Sequence, residues 1–175
     1  GWDAEDHPRS VLTGRTNEEV RHPPTPPPAA PDPEVRWHAP SAAQMEALDA
    51  LGNGGSWHVD GIDVAVSNLD KVLFPARPGG VDLTKRDLIR HYATVAPLIL
   101  PYLSGRPVNL QRFPNGIAAK GFWQKEVPKN APDWFTRFHD RDARPGRTEW
   151  SSVLDRPASL VFMAKLAAVE LHPWT

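Results

Sequence analysis

The sequence predicts an α+β fold in which helices flank a mixed or antiparallel sheet, with a disordered leader in front. Three observations support this prediction. Short alternating segments in residues 106–153 are typical of strands, and longer segments with helical spacing lie before and after them. Residues 21–40 hold 8 of the 20 prolines of this 175-residue chain. Because such a composition favours extended spacers over a packed core, we expect only the remainder to fold.

The leader is predicted to cover residues 1–40 as an acidic, proline-rich linker. Residues 1–60 carry 4 basic and 10 acidic side chains, whereas residues 61–125 carry 9 basic and 4 acidic ones, and residues 126–175 carry 7 of each. The formal net charge of the whole chain is only −1. This asymmetry indicates an anion-binding module behind an acidic leader, although an ordinary solvated basic face would give the same counts.

A short helix is predicted within residues 41–56. Ser41 and Gln44 have the spacing of a capping box, and apolar residues recur at helical intervals until Gly52. The main folded domain is predicted to cover residues 57–175.

Next along the chain, turn residues at 60–61 predict a small hairpin. Thr84 is then predicted to cap a helix of about four turns. Its apolar stripe is expected to comprise Leu88, Tyr92, Val95, Leu98 and Ile99. Pro97 and Pro101 are expected to bend or end this helix.

A sheet and a second long helix follow. Strands are predicted around residues 106–113, 121–127, 134–139 and 148–153, and they are expected to form one sheet. Asp155 is predicted to cap a helix with Pro157 in its first turn, running to about Val169. A final short strand would carry Leu171 and His172.

Four short segments interleave cations, amides and aromatic rings. They are residues 68–75, 84–87, 110–116 and 121–125. Phosphate oxygens need donors and exposed bases need flat side chains, so this composition is typical of a nucleic-acid site. The alternative is that the lysines in these segments are ordinary surface residues.

Other classes of protein are disfavoured by the composition. The chain has no cysteine, which excludes a disulfide framework and thiolate metal sites and fits a reducing compartment. No apolar run approaches the roughly 20 residues that span a bilayer. A cytoplasmic protein is therefore expected.

Taken together, these residues resemble the primase-polymerase domain of bacterial DNA ligase D, the non-homologous end-joining ATP-dependent ligase, and its stand-alone relatives. The resemblance covers about residues 57–174. Its five motifs are residues 68–75, 84–85, 105–107 with 111–114, 122–125 and 170–174. It implies the N-terminal portion of an archaeo-eukaryotic primase-like polymerase domain, a nucleotidyltransferase family and a place at the bacterial nucleoid.

The resemblance also implies that Asn68, Lys71 and Lys85 hold the 5′-phosphate of a recessed or gapped DNA end. An amide and two ammonium groups can surround a dianionic phosphate with charge-assisted hydrogen bonds. Lys85 is expected at a helix start, where backbone N–H groups and the dipole would add to the affinity. Gln111 and Asn115 are expected either to orient Arg112 and Lys125 or to satisfy turns.

Phe122 and Trp123 match the aromatic pair that stacks on the template strand in this family. Arg112 and Lys125 are candidates for contacts with the DNA backbone. Because neighbouring residues of a strand point to opposite faces, we expect at least one of the two aromatic rings to lie in the core.

His172 matches the family's active-site histidine near the triphosphate. Polymerisation also needs carboxylates that hold Mn or Mg ions against the NTP or dNTP. In the family the paired aspartates follow this segment, and the sequence ends at Thr175. His172 is therefore interpreted as the remnant of a site truncated before the metal-binding aspartates. We expect no metal or nucleotide cofactor, and no nucleotidyl transfer, with this chain alone.

The expected function is recognition of 5′-phosphorylated DNA ends in double-strand break repair by non-homologous end joining. Ku and ligase modules are candidate partners, and a membrane is not. Two alternatives stay open, namely a non-catalytic end-binding or tethering protein and an inactive gene fragment.

Overall fold

The computed structural model describes residues 36–141, 143 and 149–174. Within these ranges the helices are α1 (Ala42–Ala50), α2 (Lys85–Leu103) and α3 (Pro157–Lys165). The strands are β1 (Gly54–Val59), β2 (Ile62–Ser67), β3 (Val72–Phe74), β4 (Leu83–Thr84), β5 (Pro107–Arg112), β6 (Phe122–Gln124), β7 (Arg137–His139), β8 (Trp150–Val153) and β9 (Ala168–Pro173). The first 35 residues of the predicted leader lie outside the described residues.

The main sheet has five antiparallel strands with β5 at its centre. Strand β5 pairs with β6, β8 and β9, and β7 pairs with β8. Two smaller antiparallel pairs are β1–β2 and β3–β4. The first closes at Asp60 and Gly61, both with the positive φ that a tight hairpin turn requires. The predicted α+β fold, with an antiparallel sheet and flanking helices, is confirmed.

Helix α1 begins with the capping box that the sequence predicts. The N–H of Ser41 donates to Gln44 Oε1 at 2.9 Å, and the N–H of Gln44 donates to Ser41 Oγ at 3.3 Å. The buried Trp57 on β1 donates its indole N–H to the carbonyl of Gln44 at 2.8 Å. Trp37, which was predicted to lie in the linker, packs against the core and donates its indole N–H to the carbonyl of Asp155 at 2.8 Å. The folded body therefore includes Trp37.

Helix α2 begins at the predicted cap, because Asp87 Oδ2 accepts the N–H of Thr84 at 2.7 Å. It continues through Pro97 and Pro101, so neither proline ends it. This helix packs against α3, and tertiary packing of this kind supplies most of the stability of helices in proteins. Its buried residues are Lys85, Leu88, Ile89, Tyr92, Ala93, Ala96, Leu100 and Leu103. The predicted stripe was wrong at Leu98, which is 70% exposed.

Helix α3 is a core helix, because residues 157–164 are all buried. The predicted cap at Asp155 is wrong, since the cap position belongs to Arg156. The Asp155 carboxylate is engaged elsewhere, accepting the hydroxyl of Thr136 at 2.6 Å. The helix also ends earlier than predicted, because Ala167 has a left-handed backbone with φ 57° and β9 follows at once.

Candidate nucleic-acid interface

The turn that carries Asn68 and Lys71 lies against the start of α2. Asn68 has a left-handed backbone with φ 54°, which asparagine tolerates better than most residues, and its carbonyl accepts the N–H of Lys71 at 3.1 Å. The carbonyls of Lys71 and Leu69 accept the N–H groups of Lys85 and Arg86, each at 2.9 Å. The structure thus brings the three predicted phosphate-binding residues together at the start of α2.

The first three N–H groups of α2 already have partners within the protein. Those of Lys85 and Arg86 bind the turn, and that of Asp87 donates to Thr84 Oγ1 at 3.4 Å. The expectation that backbone N–H groups at this helix start would bind an anion is therefore wrong for these positions. The helix dipole and the lysine ammonium groups are what this end of α2 offers to an anion.

Lys85 is a buried lysine in this region, with only 7% of the residue exposed. Its ammonium group makes no hydrogen bond or ion pair with the described residues. Burial is the main cause that lowers the pKa of Lys85, and the positive charges of Lys71, Arg112 and Lys165 lower it further. We call these four residues the cation cluster. Because these positive charges lie close together and the Lys85 ammonium has no counter-charge among the described residues, the cluster favours binding of an anion.

Lys71 is positioned by the loop that follows β5. Its Nζ donates to Asn115 Oδ1 at 2.9 Å. The loop comes close to β3, since the N–H of Ile117 donates to the carbonyl of Leu73 at 2.8 Å. Gly116 permits this approach, because its φ is 84° and a Cβ there would lie 3.1 Å from the carbonyl oxygen of Leu73. Asn115 thus contacts Lys71, and not Arg112 or Lys125, the two residues that it was expected to orient.

Arg112 on β5 is held from three sides. Its Nε donates to the carbonyl of Leu166 at 2.8 Å, and its Nη1 donates to Gln124 Oε1. The guanidinium lies over the ring of Phe122, 5.1 Å from the ring centroid. Burial lowers the pKa of Arg112, but a guanidinium remains charged in proteins. Arg112 therefore supplies a fixed positive charge between the lysines and Phe122.

Phe122 and Trp123 point to opposite faces of β6. Phe122 pairs with Arg112 and Trp123 with Gln111, and paired residues share a face. Phe122 is 45% exposed and Trp123 is 51% exposed. The expectation that at least one ring lies in the core is wrong, because β6 is a three-residue strand at the sheet edge and both of its faces meet solvent there. Lys125 follows β6 and is also exposed.

His172 belongs to a second group on the other face of the sheet. Its Nε2 hydrogen-bonds to Glu170 Oε2 at 3.0 Å, and its ring meets that of Trp123 edge-on with 4.8 Å between centroids. Gln111, with its amide nitrogen turned towards Glu170, donates to the same carboxylate. We call Gln111, Trp123, Glu170 and His172 the histidine face. Its polar groups satisfy one another.

Two residues of the interface were not identified as site residues from the sequence. Lys165 joins the cation cluster, and the available signal was its position as the one charged residue at the end of an apolar helix. Glu170 joins the histidine face, and the signal was its spacing of two residues from His172 along a strand, which puts both on one side.

Within residues 36–141, 143 and 149–174, no three His, Cys, Asp or Glu side chains come together in a way that could hold a metal ion. None of the helices in the same ranges has the length and apolar character needed to cross a bilayer. The contacts of His172 with a triphosphate stay a prediction.

Comparisons with known proteins give independent information on this chain. The model of the LigD primase-polymerase domain family matches residues 84–175. The multifunctional non-homologous end joining DNA repair protein LigD of Mycobacterium tuberculosis is 36% identical over 109 residues, which are 62% of this chain. The bifunctional non-homologous end joining protein LigD of Bacillus subtilis is 31% identical over 106 residues, which are 61% of this chain. The matched stretches are 14% and 16% of these relatives' lengths.

A solved structure is similar as well. It is the polymerase domain from Mycobacterium tuberculosis ligase D in complex with DNA, with 34% sequence identity and a TM-score of 0.55. The match covers 63% of this chain and 36% of that one.

Proposed function

This chain belongs to the family of LigD primase-polymerase domains, and from this premise we propose that it binds DNA ends in double-strand break repair by non-homologous end joining. The ligand of the cation cluster is the 5′-phosphate of a recessed or gapped end. The solved relative, a polymerase domain in complex with DNA, supports DNA as the class of partner.

The observation that carries the proposal is the ammonium of Lys85, a residue that is only 7% exposed. The ammonium has no partner among the described residues and lies close enough to three further cations for their charges to lower its pKa. A terminal phosphate carries a charge of about −1.5 to −2 near neutral pH and presents three acceptor oxygens. An internal phosphodiester carries a single charge, and a 5′-hydroxyl carries none. The cluster is therefore suited to a terminal phosphate more than to the rest of the DNA backbone.

The side chains around the cluster fit the same ligand. Asn68 is exposed on the turn beside Lys71, where its amide can donate to a phosphate oxygen. Phe122 lies next to Arg112 and is open enough to stack on a base near the bound end. On the opposite face Trp123 offers a second stacking surface to the template strand. Lys125, which follows the same strand, is placed to contact the DNA backbone.

Nucleotidyl transfer is a property that we propose for the complete domain, with Mn or Mg and NTP or dNTP as its cofactors and substrates. The described residues do not fit the metal ions, because no cluster of suitable donors is present among them. We therefore assign no step of that reaction to them. Ku and the ligase module are proposed as partners of the longer protein.

The experiment that tests end binding is a fluorescence anisotropy titration of this chain against gapped DNA. The recessed end carries either a 5′-phosphate or a 5′-hydroxyl, and each is measured at two salt concentrations. We expect the 5′-phosphate form to bind about ten-fold more tightly. The salt dependence separates this preference from general attraction to the DNA backbone.

The double variant Lys71→Ala plus Lys85→Ala is expected to bind both ends equally. Lys120→Ala plus Lys129→Ala is the matched control, because it removes two lysines outside the cation cluster and should keep the preference. Equal binding of both ends by the unaltered chain would overturn the proposal.

A further inference from the structure

Arg86, next to Lys85 at the start of α2, has a guanidinium group that main-chain carbonyls hold in place. Its Nη2 donates to the carbonyls of Leu51 and Gly52 at 2.9 and 2.8 Å, and its Nη1 donates to the carbonyl of Leu48. These carbonyls lie at and just beyond the C-terminal end of α1, where the helix itself supplies no N–H partners for them. The side chain of Arg86 is only 15% exposed. The fold therefore sets the position of this positive charge before any ligand binds.

The same guanidinium binds the acidic residue of the turn that carries Lys71. Its Nη2 donates to Asp70 Oδ1 at 3.1 Å. Asp70 directly precedes Lys71, and its side chain is 64% exposed. Because an exposed side chain keeps much of its rotamer freedom, the ion pair with Arg86 decides in which direction the carboxylate points.

The direction of this carboxylate matters because Asp70 is the acidic residue of the segment 68–71. A carboxylate is an anion, so it can neutralise the same lysines that a phosphate would bind. Asp87, the acidic residue in the first turn of α2, is also engaged, since its Oδ2 accepts the N–H and the hydroxyl of Thr84, both at 2.7 Å. Both acids are thus held by partners outside the cation cluster. This arrangement explains why Lys85 has no counter-charge among the described residues.

We propose that Arg86 is a positioning residue of the end-binding site, which holds the carboxylate of Asp70 away from Lys71 and Lys85 so that both lysines stay free for an anion. The inference rests on the proposed function and adds to it a residue that acts through Asp70 and not through the ligand. Without Arg86, Asp70 becomes an internal counter-ion that competes with the ligand for the same ammonium groups. Helix α1 takes part as well, because its terminal carbonyls fix the guanidinium.

An arginine that joins two helices can also serve stability alone, and a second arginine of α2 allows the two roles to be compared. Arg90, one turn after Arg86, pairs with Asp49 of α1. It therefore connects the same two helices, but its carboxylate partner lies outside the segment 68–71. An effect of fewer links between the helices should appear when either arginine is replaced. An effect of a released Asp70 should appear only when Arg86 is replaced.

The test is a rescue experiment by anisotropy titration with gapped DNA whose recessed end carries a 5′-phosphate or a 5′-hydroxyl. Arg86→Gln should lower the affinity for the phosphate end about five-fold, because the released carboxylate occupies the lysines. In Arg86→Gln plus Asp70→Asn, this affinity should return to within about two-fold of that of the unaltered chain. The second substitution cannot restore the lost bonds to α1, so the recovery reports on the carboxylate.

Two variants control for net charge and for the link between the helices. Arg90→Gln also removes one positive charge and one contact with α1, and it should keep the phosphate preference. Arg86→Gln plus Asp63→Asn restores the net charge at an exposed acid on β2, and it should not restore the affinity. Recovery with Asp63→Asn, or an equal loss in Arg90→Gln, would overturn the inference.

Arg86→Lys is the milder substitution and keeps the test decisive if Arg86→Gln does not fold. A lysine keeps the charge but lacks the planar fork that reaches the carbonyls and the carboxylate together. Its loss of affinity for the phosphate end should also be recovered by Asp70→Asn. Absence of recovery in both backgrounds would overturn the inference, and so would a full phosphate preference in both single variants.

The pKa of Lys85 gives a readout that needs no DNA. In the unaltered chain this pKa is lower than its ordinary value of 10.5. In Arg86→Gln an NMR titration should find it raised, because a carboxylate has joined the lysines. Asp70→Asn in the same background should lower it again. A pKa that does not respond to Asp70→Asn in that background would contradict the proposed role of Arg86.

The outcomes also distinguish the two proposals. If the unaltered chain shows no preference for the 5′-phosphate while the Lys85 titration responds as expected, end binding is overturned and the role of Arg86 in keeping the lysines unpaired stands. If the preference is present but Asp70→Asn recovers neither the affinity nor the pKa, end binding stands and the inference about Arg86 is overturned.

Discussion

The cation cluster and the histidine face meet at β5, where Arg112 and Gln111 point to opposite faces of the sheet, and they differ in how their charges are balanced. On the histidine face, His172 pairs with Glu170, and Gln111 donates to the same carboxylate. In the cation cluster, Lys85 is buried beside three other positive groups and has no partner among the described residues. The first region is satisfied by its own side chains, whereas the second requires an anion to balance its charge.

This contrast shows which region can bind a ligand without help from further residues. A site with unbalanced buried charge gains free energy when a counter-ion binds, because the cost of burial has already been met by folding. A self-satisfied site must first break its own contacts before its groups can bind anything else. We therefore expect end binding to depend on the cation cluster and to be almost independent of the histidine face.

The largest expected effect is on stability. Lys85→Met keeps the length of the side chain but removes the charge, so the free energy of unfolding should rise by about 2 kcal/mol while the phosphate preference is lost. Urea unfolding measures the first quantity and anisotropy the second. Lys129→Met, on an exposed lysine, should change stability by less than about 0.5 kcal/mol.

The pH dependence of this gain follows from the lowered pKa of Lys85. In the unfolded chain the lysine has its ordinary pKa of 10.5, and in the folded protein its pKa is lower. Between these two values the unfolded chain binds more protons, so the stability of the unaltered protein rises with pH. The advantage of Lys85→Met should therefore shrink as pH approaches 10.5. A constant advantage would mean that Lys85 is paired in solution.

A smaller effect is expected from the aromatic rings. Phe122→Ala should weaken binding of gapped 5′-phosphate DNA by about 1 kcal/mol, because one stacked base and the contact with Arg112 are lost. Trp123→Ala serves as the matched variant on the opposite face and should weaken binding of the phosphate-bearing end by less. If Trp123→Ala has the larger effect in the same titration, the bound end lies on the histidine face.

The smallest effect is expected from His172→Ala. Affinity for the 5′-phosphate end should change by less than about two-fold, since the histidine is engaged by Glu170 and lies across the sheet from the cation cluster. A loss similar to that of Lys71→Ala plus Lys85→Ala would show that the two regions act as one site.

The sequence predicted those features that depend on neighbouring residues. The capping box at Ser41 and the helix cap at Thr84 were identified correctly, because a cap and its partner lie three residues apart. The same reasoning failed at Asp155, because its carboxylate accepts a hydrogen bond from the hydroxyl of Thr136, 19 residues earlier in the chain. A local pattern cannot show that a distant hydroxyl competes for the same oxygen.

For the candidate site, the motifs predicted which residues lie together, but they did not predict all of the contacts around these residues. The motif positions gave Asn68, Lys71 and Lys85, and these residues do lie together. The place of Lys165 among these cations was not predicted, because Lys165 lies on α3, about 80 residues along the chain from Lys85. The exposure of both rings on β6 was missed because the alternation rule does not say that a strand lies at an edge.

The bond between Trp37 and the carbonyl of Asp155 has a mechanical consequence. Asp155 lies just before α3, and Lys165 is the last residue of that helix. A helix of nine residues is a stiff rod of about 14 Å. Tension on the backbone at Trp37 is therefore applied to one end of this rod, and the other end carries a cation of the cluster. A force applied at Trp37 would therefore be transmitted through α3 to Lys165 of the cation cluster.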